Sequence, residues 1–410
     1  MKVLIVSTYD QQGGAAIAAY RLLEALNKNG VSATMLTIDK KTDNPNVIEV
    51  GNSLMNKARF AAERGIIYIQ NGFSKKNLFD ISIASTGVSI TNHPEFKKAD
   101  IIHLHWINQG MLSMREIAKI VSSGKKIVWT MHDMWPFTGI CHHAGQCNHF
   151  EEDCGYCPYL QLPMKKDLSN STFLLKQAAY SLGHIHFVAC SNWLKSLALK
   201  SDLTIGQKVS AIPNPLDTEL YKPKDKTELR KAMNLPTDKK IILFAAAKVS
   251  DTRKGIDYLI EASKIIAQKT DNILFLIAGG NSKEIISQLA LPTVDLGYIP
   301  SNDMPDIYNV SDVFVTPSLQ ENLPNTIMES MACGTPCVGF NIGGIPEMID
   351  HKRNGYVATY KDLQDLADGI LWVLQNSATR KLYHNARNKV LKSYSEDIIA
   401  NRYLEIYNKD

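Results

Sequence analysis

No stretch of the sequence approaches the ~20 consecutive apolar residues of a bilayer-spanning helix, because Lys, Asp or Gly breaks the longest candidates. The first apolar run, residues 3–6, is too short for a secretory h-region and no small-residue cleavage site follows it. It reads as a buried strand, and the expected location is the cytoplasm. A charge excess of one sign is also missing, since 45 Lys+Arg face 41 Asp+Glu for a net +4. That balance excludes a nucleic-acid footprint, so any phosphate must be recognised by local groups. Internal repeats and low-complexity tracts are absent, which excludes solenoids and long linkers. No G-x-G-x-x-G series follows the first strand, which speaks against a dinucleotide site there.

What is present is an ordinary globular composition, 45% apolar and 21% charged, over 410 residues. One hydrophobic core stops growing at about 250–300 residues, so two domains are expected. Short apolar runs at 3–6, 101–105, 127–131, 187–189 and 209–212 alternate with amphipathic segments such as 15–29 and 114–122. This alternation predicts a parallel sheet covered by helices. The stretch PNPLDTELYKPKDK then collects prolines and charges without an apolar period, as a hinge does. The pattern restarts with strands at 241–247, 273–278, 313–316 and 336–340 and helices at 256–268, 283–289 and 325–332. The expectation is an α/β chain of two Rossmann-like domains, 1–212 and 213–393, with a helix over 394–410 packing back on the first. Ligands of such an architecture bind at the carboxyl ends of the strands, here in a cleft between the domains.

The densest motif is QENLPNTIMESMACGTPCVGFNIGGIPEMI, in which Glu321 and Glu329 stand at E-x7-E spacing. Asn322 can cap a helix whose first turn holds Pro324, leaving the N–H groups of Leu323, Asn325 and Thr326 for an anion. Glu329 would then accept hydrogen bonds from a ribose diol, and Glu321 would hold sugar hydroxyls. Alone, the two glutamates could equally be solvated helix charges. With Gly334-Thr335-Pro336 and Gly343-Gly344-Ile345-Pro346-Glu347 following, the stretch resembles the family-4 retaining glycosyltransferases. The resemblance implies a GT-B fold, with an acceptor-binding first domain and a donor-binding second domain. It assigns the donor ribose to Glu329, the transferred sugar to Glu321, and sugar and diphosphate contacts to the backbone of residues 322–326. The run Glu321-Asn322-Leu323-Pro324 departs from the Glu-Gly-Phe-Gly composition of many members, so the sugar is left open.

Ser250-Asp251-Thr252-Arg253-Lys254-Gly255 places two cations beside a helix start, Arg253 as a planar fork and Lys254 as a point charge for a diphosphate. The resemblance assigns the diphosphate to Lys254. Where members carry an upstream Arg this chain reads Ala246-Ala247-Lys248, so Lys248 or Arg253 would substitute. Gly13-Gly14 is a tight strand-to-helix connection, and the resemblance brings Gly14 to the donor phosphate. His132 and Asp133 end a buried strand; His132 resembles the family histidine that contacts the transferred sugar, while Asp133 could simply orient a loop.

Cys141, Cys147, Cys154 and Cys157 form a C-x5-C-x6-C-x2-C pattern. Four thiolates could hold a structural zinc that stiffens a loop of little apolar content, and disulfides or free thiols stay open. A similar cysteine-bearing insertion recurs in a polysaccharide-building bacterial branch of the resembling family. Lys57, Arg59, Arg64, Lys75 and Lys76 accompany Phe60, Ile66, Ile67, Tyr68 and Phe73, which suits either an anionic membrane surface or a core helix with a solvated face. The reading is a retaining hexosyltransferase that uses a nucleotide diphosphate sugar without a further cofactor. Its acceptor would be a saccharide or lipid-linked saccharide, in cell-surface polysaccharide synthesis at or near the inner face of the membrane. Rival readings are a nucleotide-sugar epimerase or sugar phosphorylase of the same fold, or a noncatalytic carbohydrate-binding scaffold. The phosphorylase needs a pyridoxal-phosphate lysine, and no lysine context here announces one.

Overall fold

The computed structural model describes residues 1–376 and 380–409. The chain divides into two compact units, Met1–Pro213 with Ile399–Asp410, and Asn214–Ile398. The first unit is built on seven strands: β1 (Lys2–Val6), β2 (Ser32–Thr37), β3 (Val47–Glu49), β4 (Ile101–Leu104), β5 (Lys126–Met131), β6 (Ile185–Ala189) and β7 (Lys208–Ala211). They form one parallel sheet in the order β3-β2-β1-β4-β5-β6-β7. β1, β4, β5 and β6 are buried along nearly their whole length, as strands covered by helices on both faces must be.

The amphipathic segment after β1 is the helix Gly14–Lys28, which buries Ala18, Ala19, Leu22, Leu23 and Leu26 at helical spacing. On the same face lies helix Glu396–Asn408, whose Ile399, Ala400, Tyr403 and Tyr407 join the core made by Val3, Ile5, Val128 and Val188. Buried tyrosines need partners for their hydroxyls. Tyr407 Oη is 2.6 Å from His103 Nδ1 on β4, and Tyr403 Oη is 2.8 Å from Thr130 Oγ1 on β5. Position 410, the end of the helix expected over 394–410, lies outside the described residues.

The second unit has six parallel strands: β8 (Lys240–Lys248), β9 (Ile273–Gly280), β10 (Thr293–Gly297), β11 (Val313–Thr316), β12 (Cys337–Phe340) and β13 (Gly355–Ala358). Their order is β10-β9-β8-β11-β12-β13. Helix Ile256–Ala267 lays Ile256, Leu259, Ile260, Ser263 and Ile266 on the sheet, a stripe at i, i+3, i+4, i+7 and i+10. Fully burying each such aliphatic side chain is worth about 1.5–3 kcal/mol.

The stretch read as a hinge is not an open linker. Leu216 and Tyr221 are buried, Leu216 N–H donates to Tyr394 O at 2.8 Å, and Arg387 donates to the carbonyls of Thr218 and Tyr221. Two widely spaced apolar side chains anchor this stretch within the second unit, a spacing that no periodicity reveals. Among the described residues no helix is long and apolar enough to cross a membrane.

Candidate active site

The order of the second sheet decides which loops are neighbours. β8, β11 and β12 are adjacent and parallel, so the segments leaving their carboxyl ends, 249–255, 317–324 and 341–344, emerge side by side. Two glycines let them touch. Gly255 has φ 72°, and a Cβ there would lie 1.8 Å from Pro317 O; Leu319 N–H donates to Arg253 O nearby at 2.7 Å. Gly343 has φ 58°, and its Cβ would lie 1.8 Å from Glu321 O, while Gly344 N–H donates to Asn322 O at 2.7 Å. Neither position accepts a side chain without moving the loop that carries Glu321.

This packing brings Lys254 Nζ to 2.6 Å from Glu321 Oε2, joining two predicted residues 67 positions apart. The pair is partly open, with side-chain exposures of 36% and 16%, so solvent or a ligand reaches it. Arg253 is placed differently from the expected diphosphate clamp. Asp251 caps the 3-10 turn Thr252–Lys254 by accepting from Arg253 N–H, and its two oxygens also take the guanidinium at 3.1 and 2.8 Å. The hydrogen bond and charge of Arg253 hold the Asp251 carboxyl below its ordinary range. A short-range partner two residues away therefore engages the fork. Lys248 ends β8 on the exposed side of a register shift.

Helix Asn325–Ala332 starts with Pro324, not Asn322, at its N-cap, and no side chain caps it. The expected Asn322 cap is thus corrected: Asn322 is buried two positions earlier, and its carbonyl is taken by the Gly344 turn. Pro324 and Leu323 are buried, Asn325 and Thr326 are half-exposed, and Asn325 Oδ1 accepts from Asn214 Nδ2 at 3.0 Å. An uncapped helix start keeps its partial positive charge for an incoming anion. One turn on, Glu329 is buried and accepts the Tyr308 hydroxyl at 2.9 Å. Burial first, and then the Glu329 charge, pushes the Tyr308 phenol far up, so it stays a donor. Tyr308 escaped the sequence reading; its signal, an aromatic with a polar tip in the helix before β11, is common to many core tyrosines.

In the first unit the carboxyl ends of β1, β4, β5 and β6 are likewise adjacent. Helix Gly14–Lys28 begins there with Gly13 at its N-cap (φ 88°), without a side-chain cap and without an acidic residue in its first turn. Gly14 is its first residue. His132 follows β5, with Nε2 2.9 Å from His105 Nδ1 and Nδ1 3.5 Å from Cys190 Sγ. Burial lowers its pKa to about 4, against a smaller upward pull from Asp133, so the ring is neutral. Asp133 Oδ2 accepts from Trp106 Nε1 at 2.9 Å and pairs with His142 Nδ1 at 2.7 Å, while Oδ1 takes Trp135 N–H at 2.9 Å. Burial pushes this carboxyl up, but His142 first, with His143 and the Trp135 N–H, more than reverses it, leaving a pKa of about 2. Asp133 therefore orients the loop after β5. His105 and Trp106 were missed, although the His-Leu-His-Trp run at the end of β4 was their signal.

The four clustered cysteines line one small cavity together with His149, Phe150 and Ser169. All are free thiols, and among the described residues no group of three or more His, Cys, Asp or Glu is arranged to hold a metal ion. The expectation of a zinc-stiffened loop is corrected in its physical premise. Ile140, Cys141, Ala144, Phe150, Cys157 and Leu160 all belong to the hydrophobic core, which holds the loop by packing. Burial pushes the Cys141 thiol far up, Cys154 to about 12 and Cys157 to about 11. His149 Nδ1 is engaged with Gly155 O at 2.8 Å.

Comparison with known proteins accounts for nearly all of the chain. Residues 12–220 match the family described as Glycosyltransferase Family 4, and residues 225–391 match Glycosyl transferases group 1. An uncharacterized glycosyltransferase of Methanocaldococcus jannaschii is 30% identical over 190 residues, 45% of this chain and 48% of that protein. The Escherichia coli UDP-Gal:alpha-D-GlcNAc-diphosphoundecaprenol alpha-1,3-galactosyltransferase is 26% identical over 212 residues, 49% of this chain and 54% of that protein. A Campylobacter jejuni N,N'-diacetylbacillosaminyl-diphospho-undecaprenol alpha-1,3-N-acetylgalactosaminyltransferase is 30% identical over 230 residues, covering 54% and 59%. The chain spans about half the length of the curated relatives it matches. Among solved structures, sucrose-phosphate synthase from Thermosynechococcus elongatus superposes with TM-score 0.69 at 17% identity, covering 99% of this chain and 98% of that one. WaaG, a glycosyltransferase involved in lipopolysaccharide biosynthesis, gives 0.63 at 14% identity over 100% of both chains. These likenesses establish the fold, and with the family matches the conclusion is that the chain belongs to glycosyltransferase family 4 and has the GT-B fold.

Proposed function

We propose that this protein is a retaining glycosyltransferase that moves a hexose-type sugar from a nucleotide diphosphate sugar to a saccharide or lipid-linked saccharide acceptor. The observation that carries this is the Lys254–Glu321 pair, 2.6 Å apart on the loop cluster that also holds the uncapped start of helix Asn325–Ala332 and the buried Glu329. A cation and a helix N-terminus suit a diphosphate, and a carboxylate held from behind by Tyr308 suits a ribose diol. In this reading Lys254 and the backbone of residues 322–326 take the diphosphate and the sugar. Glu329 takes the ribose and Glu321 the sugar hydroxyls, and the family likeness assigns the donor phosphate to Gly14 and the transferred sugar to His132. Diphosphate binding draws Lys254 away from Glu321 and leaves that carboxylate for the sugar.

The reaction needs no further cofactor. The bond from the anomeric carbon to the diphosphate oxygen breaks while the acceptor oxygen bonds on the same face. The acceptor proton passes to the departing diphosphate oxygen. The protein supplies position and charge: Lys254 and the helix start stabilise negative charge as it grows on the leaving group. A lipid-linked acceptor, and with it cell-surface polysaccharide assembly, is favoured by the undecaprenol-linked substrates in the names of the Escherichia coli and Campylobacter relatives.

The test is thermal-shift titration of the purified chain with UDP, GDP, ADP and their sugars, beside Glu329→Ala and Lys254→Ala. Stabilisation by one nucleotide, lost in both variants, is the expected result. No shift with any nucleotide, or a shift untouched by either substitution, would sink the assignment.

A further inference from the structure

Two surface tips that are far apart in sequence are bolted together in the first unit. One is the turn ending helix Ser53–Gln70, and the other is the stretch from Tyr156 to Lys166 beyond the cysteine cluster. Gln161 N–H donates to Asn71 Oδ1 at 2.6 Å, and Asn77 Nδ2 donates to Tyr159 O at 3.1 Å. Leu162 Cδ1 lies 3.5 Å from where a Cβ on Gly72 would sit, so the two tips are in contact beside Phe73. Tyr156 N–H donates to Met164 O at 2.8 Å, which closes the second tip on itself.

The joined surface is unusual in what it leaves in water. Phe73 is 68% exposed, Leu162 63% and Met164 56%. Phe73 also holds a left-handed φ of 59°, a conformation that costs a bulky residue energy, and its ring, met edge-on by Tyr68 at 5.7 Å between centroids, still stays mostly in water. The same two tips carry Lys75, Lys76, Lys165 and Lys166, all exposed; neither 70–77 nor 156–166 contains an acidic residue, and Asp80 lies just beyond the first. Exposed apolar side chains with exposed lysines next to them in both tips fit a surface that is anionic outside and hydrocarbon beneath.

We propose that the two tips form one membrane-docking surface, which presses Phe73, Leu162 and Met164 into the headgroup boundary of an anionic bilayer while the four lysines meet lipid phosphates. The inference deepens the proposed function, on which it rests only for its purpose: it names the surface by which a lipid-linked acceptor would be approached. The lysine pairs come from both tips, so each half should contribute. The sequence showed the first half alone, as part of a basic and apolar stretch; the second half joins it through the hydrogen bonds to Asn71 and from Asn77 and the approach of Leu162 to Gly72.

The test is flotation of the full chain with vesicles of phosphatidylcholine alone and with vesicles enriched in phosphatidylglycerol. Wild type should float with the anionic vesicles and not with the neutral ones, and rising salt should weaken the binding. Lys75→Gln with Lys76→Gln, and separately Lys165→Gln with Lys166→Gln, should each lower partitioning roughly 30-fold. Phe73→Ser with Leu162→Ser should lower it at least roughly tenfold, with folding unchanged because both side chains are exposed. Wild type that floats with neither vesicle overturns the proposal. So does a serine pair that binds as wild type does, since that outcome describes adhesion to any polyanion. The nucleotide thermal shift of the same variants should be unchanged. A missing shift in wild type would count against the transferase reading and leave the flotation result standing.

Discussion

Gly343→Ala tests how the donor loop is held. Gly343 has φ 58°, and an added Cβ would lie 1.8 Å from Glu321 O and 2.9 Å from Glu321 C. The left-handed backbone alone costs a residue with a Cβ about 1–2 kcal/mol. The clash is separate: an ordinary C···O contact is about 3.3 Å, so the Glu321 carbonyl or the glycine turn must move by roughly 1.5 Å. Misplacing a positioning group by about 1 Å can cost on the order of 100-fold in rate, so kcat/KM with the preferred donor should fall by about that factor. Gly206→Ala is the control, because Gly206 has φ 76° and nothing within 4 Å of its would-be Cβ. Gly206→Ala should lose about 1–2 kcal/mol in denaturant unfolding and Gly343→Ala more, since its clash adds to the backbone cost, and only Gly343→Ala should lose activity. If the two variants keep equal, wild-type activity, the glycine turn does not position Glu321 and the reasoning fails.

Because the Lys254–Glu321 pair is partly exposed, Lys254→Ala should change stability by less than about 1 kcal/mol while weakening donor binding by about tenfold or more in calorimetry. Arg253→Ala, whose guanidinium is engaged by Asp251, should cost clearly less donor affinity than Lys254→Ala; an equal or larger loss would show that the fork turns to the diphosphate. The Asp133 carboxyl has a pKa depressed from 3.8 to about 2, so its ionised form adds stability above the ordinary carboxylate range and loses it as pH falls through about 2. The stability gap between wild type and Asp133→Asn should therefore narrow on acidification over that window, and a gap constant with pH would contradict the assignment. With burial raising their pKa values, the thiols of Cys141, Cys154 and Cys157 should alkylate slowly in the native protein at neutral pH, followed by mass spectrometry. Rapid labelling of all three would show that the loop opens.

Much of the fold was legible because it is written in local periodicity. The runs at 3–6, 101–105 and 127–131 became β1, β4 and β5, and the helical stripe from residue 256 became Ile256–Ala267. The less visible strands were short or half-exposed. β3 has three residues, and the edge strand β10 is only partly buried, so neither presents a continuous apolar run. E-x7-E stood out because a helix carries Glu329 at a set distance from the loop before it. Asn322 was misread as a cap because its carbonyl and its burial depend on Gly344, on another loop.

By itself the sequence determined the α/β class, the helix and strand elements with strong periods, and which cations and carboxylates stand at loop and helix positions as candidates. All of these depend on neighbours a few positions away. Only the tertiary structure decided which of those residues meet. Sheet order placed β8 beside β11 and so brought Lys254 to Glu321, helix packing gave Tyr308 to Glu329, and in the first unit the pairing of β4 with β5 gave His105 to His132. Tertiary packing also buried the cysteine loop in the core, whereas Arg253 meets Asp251, a partner only two residues away. The physical reason is competition: a charged or polar side chain takes the best partner within reach, and reach is set by backbone as far off as 67 residues, as from Lys254 to Glu321.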